Sequence, residues 1–324
     1  MQQRLSLNDT RGIGAALQKQ LRLRQCCYQR LPFLSAFKPS LAFPLPELPE
    51  VETYRRFLDE LILHQPITAV EVYDTHVLAV DEDLLRQRLV GQHVTATRRL
   101  GKNCFLELAD GTALALHFGM TGDVGAYRDD EDAPRFTRVA LHLADGLRIA
   151  FIDPRKFGRI RLAESVEHYQ KAKKLGPDAL DVTTTHLQKV LGAKKQLIKP
   201  LLLDQGITAG LGNWIVDEVL FQAKIHPERR ANTLTGKDFE DLHAAIQLVL
   251  TTAIRHEATY RHFPASFLIH AREWDTSATP GTDQHKHCPR HPNVEIEKKY
   301  VGGRATYFCP MCQPAPVEVD KSPT

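Results

Sequence analysis

Pro46-Glu47-Leu48-Pro49-Glu50-Val51-Glu52-Thr53 is the stretch of this 324-residue chain from which the rest can be read. Beyond it the apolar positions Val51, Tyr54, Phe57, Leu58, Leu61 and Ile62 recur at helical spacing, while Glu47, Glu50 and Glu52 crowd the end where a helix carries positive partial charge. The spacing predicts a helix that begins just after the proline pair. The chemistry open to Pro46 depends on what precedes it. Inside a chain, a proline nitrogen is a tertiary amide with a delocalised lone pair, so it neither donates a proton nor attacks. As a first residue it is a secondary amine, and terminal amines titrate at about 7.7–8.0, which leaves a useful nucleophilic fraction at neutral pH.

Residues 1–45 carry Arg4, Arg11, Lys19, Arg22, Arg24, Arg30 and Lys38 against the single acid Asp9. They have no sustained apolar period, contain the adjacent pair Cys26-Cys27 and end in a proline-rich run, so this leader is expected to be disordered or absent from the mature protein. Three origins compete. A basic, acid-poor leader fits an organellar transit peptide. It also fits a misplaced start: a leucine codon at Leu45 read as an initiator would leave Pro46 first once the methionine is removed. The third origin is a retained extension. The misplaced start is taken as the leading one, with a bacterial cytoplasmic or nucleoid location, and organellar import is the alternative.

The whole chain has a net charge of +3; subtracting the +6 of residues 1–45 leaves −3 for residues 46–324. A polyanionic partner must therefore be held by a local basic face and not by global charge. A hydrophobic content of 43% with 25% charged residues is a globular balance, which argues against disordered and fibrous classes. No run of about 18 apolar residues appears, so a membrane span is not expected.

From Ile67 to Leu162 the pattern is one of short strands: Ile67–Tyr73, His93–Arg99, Cys104–Leu108, Thr112–His117, Phe136–Leu143, Leu147–Ile152 and Arg159–Leu162. Ala109-Asp110-Gly111 and Ala144-Asp145-Gly146 supply hairpin turns. That predicts a β-sandwich over 46–165. The period then lengthens, with helices expected at Thr184–Leu191, Lys195–Leu203, Trp214–Ala223 and Lys237–Arg255, so 166–274 reads as a helical domain. A polar linker at Asp275–Gln284 leads to a metal module ending at Gln313, with 314–324 as a tail. The fold class expected is α+β and multidomain.

Cys288-x2-His291, 17 intervening residues and Cys309-x2-Cys312 give two metal knuckles around a hairpin-length stretch. Three thiolates and one imidazole suit a single structural Zn²⁺ in a closed tetrahedral site. His285 and His287 compete with His291 for the fourth position. Inside the hairpin, Val301-Gly302-Gly303-Arg304 puts a cation at a glycine-loosened tip, suited to a phosphate. Gly210-Leu211-Gly212-Asn213-Trp214 precedes a helix, where backbone N–H groups can meet an anion, and the run Lys194, Lys195 and Lys199 adds to the case for a polyanion surface, although a charge run by itself usually means a solvated face. A plain N-cap at Asn213 would explain the same glycine-rich turn. Lys102 stands at the start of a strand, within reach of a phosphate. Asp153-Pro154-Arg155-Lys156-Phe157-Gly158 holds an aromatic between cations, and His117-Phe118-Gly119-Met120 makes a second loop of this kind; both suit a wedge into a base stack, or ordinary core packing.

In this order the motifs resemble those of the formamidopyrimidine-DNA glycosylase / endonuclease VIII family, from Pro46 to Gln313. The resemblance implies a β-sandwich flanked by helices, a helix–two-turns–helix domain and a C-terminal zinc-finger β-hairpin, acting as a monomer on double-stranded DNA that contains damaged bases or abasic sites. It implies that Pro46 is the catalytic proline, Glu47 the adjacent acid/base, and Lys102, Asn213 and Arg304 phosphate contacts, with Lys102 and Arg304 counted among the catalytic set. It implies that Met120, Arg155 and Phe157 fill the gap left by an extruded base. The activity implied is removal of oxidised or ring-opened bases through a Schiff base, with strand cleavage by β,δ-elimination.

The chain departs from the family pattern at several places. Leu45 precedes Pro46, His291 stands where a cysteine is usual, Lys156 replaces a common arginine, and Thr259–Asp275 lacks the glycine-rich loop that in some members closes over an oxidised purine. If residues 1–45 are retained, the alternative is a non-catalytic damaged-DNA-binding protein; a purely structural zinc-ribbon scaffold would not need the Pro46-Glu47 pair.

Overall fold

The computed structural model describes residues 46–272 and 287–316. The leader with Cys26 and Cys27, the whole Asp275–Gln284 linker together with His285, and the end of the tail lie outside the described residues.

Helix α1 (Leu48–Ile62) opens the fold, with Pro49 in its first turn, where a missing N–H costs nothing. It joins two cores. Leu48 belongs to the helical cluster of the second half, whereas Val51, Tyr54, Leu58, Leu61 and Ile62 belong to the sandwich cluster. The sandwich consists of β1 (Ile67–Val72), β2 (Val94–Leu100), β3 (Asn103–Leu108), β4 (Ala113–His117), β5 (Asp123–Arg128), β6 (Thr137–Leu143), β7 (Leu147–Ile152) and β8 (Arg159–Ala163). They form two four-stranded antiparallel sheets, in the orders β1-β6-β7-β5 and β2-β3-β4-β8. Asp110-Gly111 and Asp145-Gly146 close the β3–β4 and β6–β7 hairpins, each glycine at positive φ.

Each strand expected from the sequence is present to within a residue or so at its ends. Strand β5 was not expected, because Asp-Val-Gly-Ala-Tyr-Arg has a glycine at its centre and only Val124 and Tyr127 buried. Helix α2 (Glu82–Leu89) was not expected either; it is two turns long, is capped by the Asp81 side chain, which accepts the Leu84 N–H at 3.0 Å, and buries only Leu85 and Leu89.

The second half holds α3 (Val166–Ala172), α4 (Thr184–Leu191), α5 (Ile198–Leu203), α6 (Asn213–Gln222) and α7 (Gly236–Arg255). Helix α6 is buried along nearly its whole length, from Trp214 to Phe221, so it is the centre of this half and not a surface helix. Its first turn lies against the start of α1. The last element is a hairpin module: β9 (His287–Cys288) pairs with β10 (His291–Glu295), and β11 (Glu297–Val301) with β12 (Arg304–Phe308). Gly302 and Gly303, both at positive φ, form the β11–β12 turn.

Candidate active site and metal centre

Two glycines set the position of Glu47. A Cβ at Gly212 would lie 2.0 Å from the Glu47 carboxylate carbon, and one at Gly210, whose φ is +115°, would lie 2.5 Å from Leu48. Only a bare backbone lets the start of α1 come this close to the start of α6. The Glu47 carboxylate accepts the N–H groups of Trp214 at 3.1 Å and Ile215 at 3.4 Å. The group at this helix terminus is therefore the protein's own carboxyl. The backbone clamp that the sequence offered to a phosphate is already occupied, and the N-cap is Gly212, with Asn213 the first helical residue.

Burial pushes the Glu47 carboxyl above its ordinary range, opposed by Lys102 and by the two backbone donors. Glu50, one turn on and equally buried, is pushed up to about 8 by burial and by the nearby Glu47. Its oxygens accept the Glu47 N–H at 3.0 Å and the Tyr260 hydroxyl at 2.7 Å. Neither role is visible in sequence. Glu50 reads there as a plain helix-terminus acid, and Tyr260 lies in a segment with no motif.

Lys102 reaches the same place through the β2–β3 turn. Gly101, at φ +59°, sits so close to Ala209 that a Cβ would meet its side chain at 2.9 Å. Asp178 then ties the turn to the helical half: it receives Arg99 on both carboxylate oxygens, at 2.5 and 3.0 Å, and the Gly101 N–H at 2.7 Å. Burial lowers the Lys102 ammonium below its usual range, while Glu47 and Glu50 work against that shift.

Arg304 arrives from the C-terminal hairpin module. The hairpin tip leans on α5, where a Cβ at Gly302 would meet Pro200 at 2.6 Å. The carbonyl of Ala305, next to Arg304, accepts Asn213 Nδ2 at 2.9 Å and Lys199 Nζ at 3.0 Å. Lys199 corrects an expectation. It is fully buried, 2.6 Å from Asp217 and 2.8 Å from Thr306 Oγ1, so it belongs to the core and not to a polyanion surface. Arg272 holds the other Asp217 oxygen at 2.9 Å. Lys199 stands three residues before buried Leu202 on this helix, the one spacing that would have placed it inside.

Pro46, Glu47, Lys102, Asn213 and Arg304 thus meet at one cavity of about 620 Å³. His117 also lines it. Burial and the nearby cations push this imidazole down to about 4, and its Nδ1 accepts the Gly119 N–H at 3.1 Å, which leaves a neutral ring with the proton on Nε2.

Phe157 shares the cavity wall and is 47% exposed, with the Arg155 guanidinium 4.8 Å above its ring. The loop carrying both is wound around buried Asp153, which accepts the N–H groups of Arg155 and Gly158 and the Thr121 hydroxyl. Met120, 39% exposed, tips the neighbouring loop, while Phe118 anchors that loop in the core against Tyr54 and Phe151. These loops touch, since a Cβ at Gly119 would strike the Phe157 backbone at 2.5 Å. Of the two hydrophobic residues in the Phe118–Met120 loop, the exposed one is Met120.

Cys288, His291, Cys309 and Cys312 bring their donor atoms within 4.8 Å of one another. Cys288 Sγ and Cys312 Sγ are 3.7 Å apart, and His291 Nδ1 lies 3.7, 3.9 and 3.3 Å from the three sulfurs. Ligands at about 2.3 Å (sulfur) and 2.1 Å (nitrogen) around a tetrahedral ion would be separated by about 3.6–3.8 Å, so these four residues fit a metal ion. His287 is exposed and outside the cluster, which gives the fourth position to His291 among the described residues.

Residues 45–160 match the formamidopyrimidine-DNA glycosylase N-terminal domain, and residues 175–264 the H2TH domain of the same glycosylase. A formamidopyrimidine-DNA glycosylase of Arabidopsis thaliana is 36% identical over 286 residues, covering 83% of this chain and 71% of that one. One of Desulforamulus reducens is 36% identical over 284 residues, covering 84% of this chain and all of its own. Among solved structures, the Lactococcus lactis formamidopyrimidine-DNA glycosylase non-covalently bound to DNA with an AP site superposes with a TM-score of 0.72 at 31% identity, covering 83% of this chain and 100% of that one. The same enzyme with DNA containing FAPY-dG gives 0.71 at 30% identity and the same coverage. No helix among the described residues is long and apolar enough to cross a membrane. With family matches to both halves, relatives aligned nearly end to end and the hairpin module in place, the chain belongs to the formamidopyrimidine-DNA glycosylase family.

Proposed function

We propose that this chain is a base-excision-repair DNA glycosylase with AP lyase activity, acting on double-stranded DNA with damaged bases or abasic sites. The observation that carries the reading is the convergence of Pro46, Glu47, Lys102, Asn213 and Arg304, from widely separated parts of the chain, on one cavity. In this reading 46–165 is the catalytic sandwich, 166–274 the DNA-binding helical domain and 275–313 the linker and zinc finger.

Pro46 acts as a free secondary amine, as the first residue of the working protein. The damaged nucleotide is extruded, because its C1′ is inaccessible in the stacked duplex. The Pro46 nitrogen bonds to C1′ as the bond from C1′ to the base breaks, and the base leaves with its electron pair and takes up a proton. Glu47, whose burial favours the protonated form, gives its proton to the ring oxygen as the sugar opens. The iminium that results draws electrons from C2′. Loss of the C2′ proton expels the 3′ phosphate, and a second elimination expels the 5′ phosphate. Lys102, Asn213 and Arg304 hold the flanking phosphates. Met120, Arg155 and Phe157 fill the vacated stack. Zn²⁺ held by Cys288, His291, Cys309 and Cys312 supplies structure only, fixing the hairpin that carries Arg304.

Borohydride trapping on a lesion-containing duplex tests this reading. A protein beginning at Pro46 should become covalently linked to the DNA, and the absence of an adduct would sink the enzyme assignment. If the full chain, shown by intact mass to retain residues 1–45, binds the duplex without forming an adduct while the Pro46-first form does react, the extension blocks the amine.

A further inference from the structure

The cavity at Pro46 continues along β8 to the end of α3, away from Asn213 and Arg304. Its lining includes Lys102, Arg159, Arg161, Lys173 and Arg304 against a single acid, Glu47, and that carboxylate already serves the start of α6. Strand β8 reads Arg-Ile-Arg. Ile160 is buried in the sandwich core, so strand alternation turns Arg159 and Arg161 to the same side, about 7 Å apart along the strand. Their registers fall opposite His117 and Ala115 on β4, which continues the row from His117. Arg159 is held by carbonyls, those of Lys156 at 2.9 Å and Gly158 at 2.6 Å. Arg161 lies beside the Tyr169 hydroxyl, which in turn donates to Asn103 at 2.9 Å. Lys173 is exposed at the C-terminal cap of α3.

Many surface arginines of this half have carboxylate partners, Arg55, Arg56, Arg86, Arg88, Arg98 and Arg148 among them, while Arg135 and Arg155 lie over the rings of Phe136 and Phe157. Among the described residues, Arg159, Arg161 and Lys173 have none. Like charges lined along one concave wall without counter-ions raise one another's energy, and that cost is recovered when an anion enters. Lys173 alone would be explained by the negative end of α3. The two arginines on β8 have no such account, and a guanidinium suits a phosphate better than solvent alone does.

We propose that Arg161 and Arg159, with Lys173 beyond them, form a further phosphate subsite that takes the backbone of the same DNA strand on the side of the reacting nucleotide away from Asn213 and Arg304. The inference rests on the DNA-processing function proposed above. Contacts to backbone phosphates carry no sequence information, so this arm sets register and grip and does not select the base.

The test uses the full chain and a duplex carrying a stable abasic-site analogue. Single phosphates of the lesion strand are replaced, one at a time, by uncharged methylphosphonates. With the wild-type protein, neutralising a phosphate in the arm should weaken binding about threefold to tenfold, and Arg161→Gln should reduce the slope of log K against log salt by about 0.9 for each phosphate that the protein no longer neutralises. In Arg161→Gln the same methylphosphonate should have no further effect, and Arg161→Lys should restore most of the slope. Lys173→Gln, a change at an exposed helix end, gives a second reading of the slope without touching the sandwich. If wild-type protein binds the duplex yet both glutamine variants keep its full salt slope, the subsite is overturned and the functional reading stands. If wild-type protein does not bind lesion duplex at all, the functional reading falls and takes the subsite with it.

Discussion

The Glu47 carboxylate accepts the Trp214 N–H at 3.1 Å, so an acid at the start of the first helix completes the N-terminus of a helix more than 160 residues away. One bond thereby joins the sandwich to the helical half at the point where chemistry is proposed. It also sets up a conflict. Burial favours the neutral carboxyl, while the helix terminus and Lys102 favour the charged one. A group balanced in this way can give up and regain a proton without large reorganisation.

Glu47→Gln should keep the protein folded, because the amide oxygen can still accept one α6 N–H. It removes the proton. Base excision should fall by about 10²–10⁴, the usual contribution of a general acid, while affinity for an abasic-site duplex changes little. Single-turnover excision and equilibrium binding on the same DNA check this. Equal losses in both would mean that Glu47 is structural only.

Glu50 has a clear pH signature. Its folded-state value is raised from 4.5 to about 8, so between those limits the native state holds a proton that the unfolded state has released. Its stabilising contribution is complete below about 4.5 and is lost as pH rises towards 8, at no more than about 1.4 kcal/mol per pH unit. Urea unfolding across this range should show wild-type stability declining with pH, and Glu50→Gln should make the decline shallower. An unchanged slope in the variant would show that Glu50 titrates normally.

The Lys199–Asp217–Arg272 cluster is fully enclosed, and it ties α5 and α6 to β12. Asp217→Ala would take the shared carboxylate away from two buried cations and should cost about 3–5 kcal/mol, whereas Lys199→Met leaves Asp217 with Arg272 and should cost less. Because Lys199 also holds the Ala305 carbonyl, Lys199→Met should loosen the Arg304 tip and weaken DNA binding more than its stability loss accounts for. Chemical denaturation paired with affinity at a temperature well below unfolding separates these effects.

The strands, the Cys/His cluster and several residues around the cavity were legible in the sequence, because alternation, cysteine spacing and glycine placement are local patterns. The sequence was least informative where partners are distant. Gly212 reads as a phosphate turn until Glu47 is seen beside it, and the lysine in Ile198-Lys199-Pro200 carries no mark of the aspartate 18 positions on. Glu50 and Tyr260 meet across 210 positions, in a segment without a motif. Strand β5 was missed for the opposite reason: its own residues are poor strand formers, and its pairing with β7 holds it in place.

Removing the metal ion should separate hairpin from scaffold. The sandwich and helical cores contain none of the four donor residues, and the small cluster under the hairpin contains three of them, Cys288, Cys309 and Cys312. Chelation, or Cys309→Ser, should therefore release the hairpin while the rest of the protein keeps its fold. DNA affinity should fall, since Arg304 loses its support. Far-ultraviolet circular dichroism should change little, and zinc content by mass spectrometry should drop from one per chain to none; full loss of secondary structure would mean the ion holds more than the hairpin.

Phe157 makes the sharpest contrast between stability and function. At 47% exposure it contributes little to the core, so Phe157→Ala should change stability by no more than about 0.5 kcal/mol. The loop itself is fixed independently by Asp153, and by the Lys156–Asp74 ion pair at 2.6 Å, so the truncation leaves its path intact. What is lost is the aromatic that would occupy the gap beside an extruded nucleotide. Excision of a paired damaged base, which must first be unstacked, should slow by tenfold or more, corresponding to about 1.4 kcal/mol or more of unstacking no longer offset. Cleavage at a preformed abasic site, with no base left to extrude, should slow much less. Rates on the two substrates that fall together would place Phe157 in general binding and remove it from the wedge.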